Sequence, residues 1–384
     1  MKRFLIFISC CLILSLLSPI PAFSKDLDLA CKSAILMEQS TGTILYKKDA
    51  HKKLRPASIT KVMTLLLIFE ALDEGRIKLD DVVTTSEHAA SMGGSNVFLE
   101  ANEQQTVETM IKCICISSAN DAAVAMAEHL SGSEDAFVDE MNKRAKELFM
   151  KDTTYKNACG LDADGHVSSA YDIAILSRYL LMHHPKVLDY TKIWMDSFEH
   201  VTRRGKSTFQ LSNTNKLIKQ YPYATGLKTG STSLAKFSLS ASASKDDLDL
   251  ICVVMAAPDF KERFSCARKL LDYGFANVKV FTPKKPVIPN IHVEKGDESS
   301  LALYCKEQIS LVGTKDHSAK DYISKIDIPK SLTAPIRKNT KIGCINYYLK
   351  DKKVGSINLY AANTIKVRTY PACIKRFLSY LIPF

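Results

Sequence analysis

Apolar positions follow a helical spacing through the middle of the chain and alternate with polar positions on either side of it. The segment "KSAILMEQSTGTILYKKD", residues 32–49, alternates around a Thr-Gly pair and predicts a β-hairpin. Residues 86–200 carry the spacing of one-sided helices and are predicted to be largely helical. Residues 236–258 predict two strands, and an amphipathic helix, "FKERFSCARKLLDYGF", follows them. This order predicts one sheet completed by the returning chain, an inserted helical lobe, and therefore an α+β fold.

A second, smaller domain is predicted beyond a proline-rich linker, "PKKPVIPN". Short alternating segments such as "SLALYC" and "KIGCINYYLK" follow the linker and are typical of a small all-β domain. The chain closes with "YPACIKRFLSYLIPF", which predicts a helix with its apolar residues on one side. Its basic and aromatic residues suit a helix that lies on an anionic membrane surface. The alternative is a helix packed on the β domain.

The first residues have the layout of a secretory signal. Lys2 and Arg3 precede the apolar run "FLIFISCCLILSLLS", and small residues at Ala22 and Ser24 end it, so cleavage is expected after Ser24. The alternative is an uncleaved membrane anchor. Either arrangement predicts an exported protein, and with the tail it predicts peripheral attachment to the periplasmic face of the bacterial inner membrane.

Charge separates the predicted domains. The chain has 52 basic and 41 acidic side chains, and residues from 276 onward hold 19 of the former against 8 of the latter. The basic surplus therefore belongs to the C-terminal part, and no aromatic-interleaved basic motif of a nucleic-acid-binding fold accompanies it. We expect no nucleic-acid partner. The predicted segments are a signal peptide at 1–24, a catalytic domain at 25–275, a β-rich domain at 276–368 and a membrane-associating tail at 369–384.

Cysteine is unusually frequent. Eleven cysteines occur, and nine remain after the signal, an odd number that cannot all pair within one chain. No C-x-x-C occurs, and Cys113 and Cys115 have no histidine nearby, so a zinc site is not expected. We expect buried thiols and at most a single bridge, for which Cys305 and Cys344 are the candidate pair. No metal or organic cofactor is indicated.

Three S-x-x-K matches occur, at Ser58/Lys61, Ser233/Lys236 and Ser242/Lys245. Residues three apart share one face of a helix, whereas in a strand they point to opposite faces. The first pair begins the apolar helix "TKVMTLLLIFEAL", and the other two lie in the predicted strand region. Only the first pair is therefore expected to bring a hydroxyl to an amine.

A serine hydroxyl becomes a good nucleophile when a neutral lysine accepts its proton. Free lysine titrates near 10.4, so a pKa near 8 requires the cation to be disfavoured by roughly 3 kcal/mol. Burial supplies part of this, and a second cation at about 5 Å supplies about 3 kcal/mol at an effective dielectric of 20. The hypothesis predicts another lysine beside Lys61. Lys228, in the only K-T-G of the chain, is the candidate.

Two further elements accompany this pair. Lys228 and Thr229 could bind a carboxylate through a charge and a hydroxyl, and Gly230 would let a backbone come close to the strand. Ser118 and Asn120, in "CISSANDAAVAM", begin a predicted helix, and an ordinary N-cap role would explain them equally well.

The chain resembles the serine penicillin-recognising enzymes, which carry the same three motifs in the same order: S-x-x-K on a helix, then S-x-N, then K-T-G on a strand. The chain more closely resembles the low-molecular-mass penicillin-binding proteins, the D-alanyl-D-alanine carboxypeptidases. The sequences around the motifs also match that family, in the segments "RPASITKVMT", "GGSNVFLE", "NACGLDADGHVSSAYDIAILSRYL" and "ATGLKTGSTSLA". The likeness spans about residues 31–275. It implies a β-lactamase/transpeptidase-like catalytic domain, with an antiparallel sheet and a helical lobe, followed by the small all-β domain.

The resemblance implies the reaction and the first roles. A serine-type D-Ala-D-Ala carboxypeptidase removes the terminal D-alanine from the peptidoglycan pentapeptide, and β-lactams inhibit it covalently. Ser58 would form the acyl-enzyme, Lys61 would be its base, Ser118 would relay a proton to the leaving D-alanine, and Asn120 would hold Lys61 and the substrate backbone.

The remaining residues would bind the terminal carboxylate of the substrate and stabilise the negative charge that develops on its carbonyl oxygen. Lys228 and Thr229 would bind the terminal carboxylate, and the backbone N–H groups of Ser58 and Ser231 would form the oxyanion hole beside Gly230. Arg263, in "FKERF", matches a family arginine near the carboxylate site, although as a surface helix residue it could equally have no role. One departure from the family pattern is Lys236, where a glycine usually follows the alanine; its effect on substrate preference stays open.

Other functions share the same motifs. A class A β-lactamase also needs a glutamate in an E-x-x-x-N-type loop, and none of the glutamates between S-x-N and K-T-G has an asparagine four residues on. A non-catalytic wall-binding receptor would keep the cleft without turnover. A D,D-transpeptidase or endopeptidase would use the same acyl-enzyme, and the sequence does not determine the acceptor.

Overall fold

The computed structural model describes residues 27–202, 205–306, 308–314, 317–349 and 351–370. The predicted signal and nearly all of the predicted tail lie outside these residues. The chain forms two compact units, residues 1–276 and 277–384, each with its own core.

The first unit is built on a five-stranded antiparallel sheet whose order is β2-β1-β9-β8-β7. Its central strands come from both ends of the unit, so the returning chain completes the sheet, as the pattern predicts. The other strands of the unit form two separate two-stranded antiparallel sheets, β3-β4 and β5-β6. The strands are β1 (Ser33–Glu38), β2 (Ile44–Lys48), β3 (Val82–Thr84), β4 (Gln104–Thr106), β5 (Met195–Thr202), β6 (Gly205–Ser212), β7 (Ala224–Thr232), β8 (Lys236–Lys245) and β9 (Leu248–Ala257).

Helices occupy much of the interval between β2 and β7, but the prediction that residues 86–200 are largely helical missed two loops and two strands. Residues 151–169 form one of these loops, and β4 is one of these strands. Residues 91–103 form the other loop, and the other strand, β5, begins at Met195, where "MDSFEHVT" has the alternation of a strand. The helices of this unit are α1 (Lys61–Asp73), α2 (Glu87–Ala90), α3 (Val107–Lys112), α4 (Asn120–Ser131), α5 (Glu134–Glu147), α6 (Ala170–His183), α7 (Val187–Thr191), α8 (Leu217–Gln220) and α9 (Phe260–Asn277).

The first long helix, α1, lies inside the helical lobe. It is apolar nearly all round, and every residue from Lys61 to Phe69 is buried, which is the expected position for a helix of this composition. Its neighbours α5 and α6 begin with serine caps: Ser133 accepts the N–H of Ala136, and Ser169 accepts that of Asp172. The packing therefore holds the N-terminal end of α1, with Lys61, away from water.

The second unit is all-β in its described part, apart from one 3₁₀ turn at Ala319–Asp321, as predicted. Its sheets have the orders β13-β18-β17-β15, β12-β11-β16 and β10-β14. Ile345, Leu359 and Leu301 are among its fully buried core residues. The strands are β10 (Val278–Phe281), β11 (Ile291–Glu294), β12 (Ser300–Leu301), β13 (Leu303–Tyr304), β14 (Leu311–Thr314), β15 (Tyr322–Asp327), β16 (Ser331–Thr333), β17 (Lys341–Leu349) and β18 (Lys352–Ala361).

The eight cysteines within the described part of the chain are all free thiols, so the suggested bridge between Cys305 and Cys344 is absent. Six of the eight are buried. In the same part of the chain, no helix combines the length and the apolar character that a membrane crossing requires.

Candidate active site

Ser58 and Lys61 meet at the start of α1. A 3₁₀ turn, Ala57–Thr60, leads directly into the helix, and the Lys61 Nζ lies 3.2 Å from the Ser58 Oγ. Ser58 is half-buried, whereas the Lys61 side chain has no exposed surface. A hydroxyl that a substrate can reach is therefore placed against an amine that water does not reach.

The other S-x-x-K matches have no such geometry. The Ser242 Oγ bonds the Thr225 Oγ1 at 2.7 Å, while the Lys245 Nζ lies 4.7 Å from the centre of the Tyr223 ring. Lys236 is exposed at the first position of β8 and has a left-handed backbone, with φ near 60°. Of the three S-x-x-K matches, only Ser58/Lys61 therefore has its hydroxyl beside its amine, as the sequence predicts.

Two further acceptors surround the Lys61 amine. Its Nζ lies 2.6 Å from the Asn120 Oδ1 and 2.8 Å from the carbonyl oxygen of Cys159. A neutral amine has two N–H donors and one lone pair, and the two oxygens can accept both hydrogens. The lone pair is then left facing the Ser58 hydroxyl, which is the orientation a base requires. Burial lowers the pKa of Lys61 to about 8.

Asn120, which contacts Lys61, follows an irregular helix junction at Ser118. A π-helical turn, Cys113–Ser117, ends at Ser118, whose backbone is left-handed with φ 62° and ψ 30°. The N-cap of α4 is Ala119, and no side chain caps that helix, so the N-cap interpretation of Ser118 is wrong. Asn120 instead bridges Lys61 and the loop, because its Nδ2 donates to the Gly93 carbonyl at 2.6 Å.

Asp121 holds the same loop from behind. Its buried carboxylate accepts the N–H groups of Val97 and Leu99 at 3.1 Å each. Burial raises the pKa of Asp121, and these backbone donors oppose the rise. The loop that presents the Gly93 carbonyl is therefore attached to the same helix as Asn120.

Lys228 lies buried in β7 close to Lys61. Burial lowers its pKa well below the ordinary value, and the charge of Lys61 lowers it further, followed by that of Arg263. A lysine does lie near Lys61, as the sequence hypothesis predicts, but the charge of Lys61 lowers the pKa of Lys228, whereas Lys228 is not among the causes of the low pKa of Lys61. Lys61 itself is shifted chiefly by burial.

The K-T-G strand packs directly on the turn that carries Ser58. A Cβ added at Gly230 would lie 2.8 Å from the carbonyl oxygen of Pro56 and 3.0 Å from the Ser58 nitrogen, so only glycine fits. The Thr229 Oγ1 is held by the Thr214 Oγ1 at 2.7 Å. Ser58 is the second residue of its turn, where a backbone N–H has no acceptor within the helix.

This contact yields a prediction. In a Gly230→Ala variant the new methyl group would meet backbone atoms of the turn at Pro56, Ser58 and Ile59, and β7 would move a few tenths of an ångström away from Ser58. We expect acylation by a penicillin to slow by about tenfold or more, because displacements of this order disturb the reacting geometry. The control is Gly75→Ala, which has a positive φ but open space around it and should lower only thermal stability. Equal acylation rates in both variants would contradict the prediction.

Arg263 is buried, which corrects its interpretation as a surface residue. It is 7% exposed, and its Nη1 lies 3.4 Å from the carbonyl oxygens of Gly230 and Ser238. Its guanidinium stacks on Phe264 at 4.6 Å, and burial lowers its pKa to about 10. The Arg263 Nε has no partner among the described residues. The structure thus places a desolvated positive charge behind the K-T-G strand.

Sequence reasoning missed two contributors, the carbonyl of Cys159 and the residue that follows it. Gly160 has a φ of +92°, and a Cβ there would lie 2.0 Å from the Ala57 carbonyl oxygen. The glycine in "NACGL" was the available signal, since a glycine in a polar loop often marks a close backbone approach. Within the described ranges, no group of three or more His, Cys, Asp or Glu side chains is placed to hold a metal ion.

Comparisons with known proteins identify the family of this chain. Residues 21–259 match the family model for D-alanyl-D-alanine carboxypeptidases, and residues 275–367 match that for the C-terminal domain of penicillin-binding protein 5. D-alanyl-D-alanine carboxypeptidase DacF of Bacillus subtilis is 44% identical over 84% of this chain and 82% of its own length. DacC of Escherichia coli is 33% identical over 83% and 80%, respectively. The crystal structure of penicillin-binding protein 5 from Haemophilus influenzae superposes with a TM-score of 0.80 at 30% identity, over 89% of this chain and 99% of that one.

Proposed function

The chain belongs to the D-alanyl-D-alanine carboxypeptidase family, and we propose on this premise that Ser58 forms an acyl-enzyme with the peptidoglycan pentapeptide and releases its terminal D-alanine. The observation that carries the proposal is the Lys61 amine, whose neutral form has one free lone pair 3.2 Å from the Ser58 hydroxyl. The remaining polar groups arrange the substrate around this pair.

In the first step Lys61 takes the proton of Ser58 while its oxygen attacks the carbonyl between the two D-alanines. Asn120 and the Cys159 carbonyl keep the amine in place during the transfer. The backbone N–H groups of Ser58 and Ser231 would stabilise the oxyanion, since donors aimed at charge that appears only in the transition state accelerate the step. The contact at Gly230 brings their two segments together.

The carboxylate of the terminal D-alanine would bind Lys228 and Thr229, with Arg263 behind the strand. A buried cation without an anionic partner is unfavourable, which is why the pKa of Lys228 is low. A bound carboxylate would stabilise the charged form of Lys228. Substrate binding and the protonation of Lys228 would therefore support each other. Ser118, next to Asn120, would pass the proton to the leaving D-alanine.

Two measurements test this function against its rivals. Mass spectrometry of a muramyl pentapeptide should show loss of one D-alanine, alone and with an amine acceptor present; a product containing the amine would indicate transpeptidation. A fluorescent penicillin should label Ser58 and stay attached, whereas rapid release would indicate a β-lactamase. Penicillin labelling without any D-alanine release would favour the non-catalytic receptor.

The rate of acylation is expected to rise with pH through about 8 and then level off. Burial lowers the pKa of Lys61 to about 8, and only the neutral amine can accept the Ser58 proton. The second-order rate constant for penicillin labelling, measured from about pH 6 to pH 10, checks this. The melting temperature at each pH serves as a control for unfolding. A flat profile would contradict a lysine base.

We also propose that the protein is exported and attached peripherally to the outer face of the cytoplasmic membrane by residues 369–384. The support is the signal-like N-terminus and the basic, aromatic tail, together with the positive surplus of the C-terminal part. A variant that lacks residues 370–384 should lose membrane fractionation while it keeps penicillin labelling. Full-length protein should be released at high salt, since screening weakens the attraction to anionic lipid. Unchanged fractionation of the deletion would contradict the anchor.

A further inference from the structure

Cys31 and Cys266, which the proposed mechanism does not use, form a thiol pair. Cys31 lies just before β1, and Cys266 lies in the second turn of α9. They are 5% and 0% exposed, and the Cys31 thiol donates a hydrogen bond to the Cys266 sulfur. Sequence spacing gave no hint of this pair, because 235 positions separate the two residues.

Several independent contacts hold the segment before β1 against α9. The Lys269 Nζ, one turn beyond Cys266, donates to the Asp28 carbonyl at 2.7 Å. On the other side, the Lys48 Nζ donates to the Leu29 carbonyl at 2.6 Å, and the Lys32 N–H donates to the Met255 carbonyl at 3.2 Å. Packing along the whole segment therefore holds Cys31 beside α9, the helix that carries Cys266.

The chemistry of the two thiols is unequal. The hydrogen bond from Cys31 lowers the pKa of Cys266 to about 7 and raises that of Cys31. The thiolate is the nucleophilic form of cysteine, so Cys266 is the thiol of the pair that attacks a disulfide first; because its side chain is buried, it reacts when an oxidant reaches it during folding. Burial raises the pKa of the neighbouring Cys252 to about 12, which leaves that thiol unreactive.

We propose that Cys31 and Cys266 are a disulfide-forming site that joins the segment before β1 to α9. The oxidant is a disulfide, either a low-molecular-mass disulfide or an oxidised dithiol protein. The Cys266 thiolate attacks one oxidant sulfur and releases the other as a thiolate, which takes up the proton of Cys31. The Cys31 sulfur then attacks Cys266 and releases the second thiolate. Two electrons pass to the oxidant, and the protons of the two cysteines are shared between the released thiols and solvent.

The bond has two consequences. It closes a loop that includes almost all of the first unit, and a cross-link across a long loop restricts the unfolded chain strongly. It also fastens the helix turn that carries Arg263, three residues before Cys266 on the same helix face. This second consequence rests on the proposed function, whereas the disulfide itself does not.

The test uses the full chain, reduced and then treated with oxidised glutathione, both folded and during refolding from urea. Non-reducing peptide mapping should find Cys31 linked to Cys266, with two thiols lost per molecule. The melting temperature should rise by roughly 5 °C or more. A Cys31→Ser variant should show no such rise, while Cys252→Ser, the matched control, should keep the cross-link.

Three results would overturn the proposal. They are a bond between Cys252 and Cys266, a glutathione adduct on Cys266 that Cys31 does not displace, and two unreacted thiols after refolding with oxidant. If Cys31→Ser fails to fold, the peptide map of the unsubstituted chain decides alone. Loss of penicillin labelling from Ser58 would count against the proposed function and would leave the disulfide result unaffected.

Discussion

Replacement of Lys61 by alanine is expected to slow acylation of Ser58 by about a thousandfold or more, for substrate and penicillin alike. General bases contribute on this order, and none of the other described side chains that bond Lys61 or Ser58 is basic. Lys61→Arg should fail similarly, since guanidinium stays protonated and cannot accept the serine proton.

The chain contains its own control for this experiment. Lys245 completes another S-x-x-K match, but it stacks on Tyr223, and its serine partner Ser242 bonds Thr225. Lys245→Ala should therefore acylate normally. Rate constants for penicillin labelling, with melting temperatures to verify folding, provide the comparison. A folded Lys61→Ala variant that acylates at the normal rate would refute the lysine base.

Replacement of Lys228 by methionine is expected to lower kcat/KM for the pentapeptide by roughly 10- to 100-fold, the value of one charge-assisted hydrogen bond. Methionine keeps most of the buried volume of Lys228 and removes only the charge and its donors. The loss should apply to the peptide acid and should be much smaller for the same peptide with a C-terminal amide, which carries no carboxylate.

The ratio of acid to amide turnover is the decisive readout, because a general structural defect would slow both peptides equally. Lys245→Ala again serves as the control and should leave the ratio unchanged. If Lys228→Met also left it unchanged, the carboxylate would have to bind elsewhere. Arg263, bonded to the Gly230 carbonyl behind the strand, would be the next residue to test.

Relations between residues close in the chain were predictable from the sequence. The i, i+3 spacing on an apolar helix is enough to place Ser58 against Lys61, and strand alternation is enough to reject the match at Ser242. Ser233 lies in the turn between β7 and β8, so alternation does not apply to that match. The sheet completed by the returning chain, the inserted helices and the all-β second unit also followed from periodicity. The local prediction failed for β5, because its alternating residues were assigned to a neighbouring helical pattern.

Relations between distant residues required the tertiary structure. Lys61 meets Asn120 across 59 positions and the Cys159 carbonyl across 98, and Gly230 touches the turn at Pro56. Arg263 looked like a surface residue and Ser118 like a helix cap until packing showed otherwise. Periodicity reports which face of an element is buried, but it does not report which element covers that face. The residues that exclude water from Lys61, orient its amine and thereby lower its pKa come together only when the sheet and the helical lobe pack around α1.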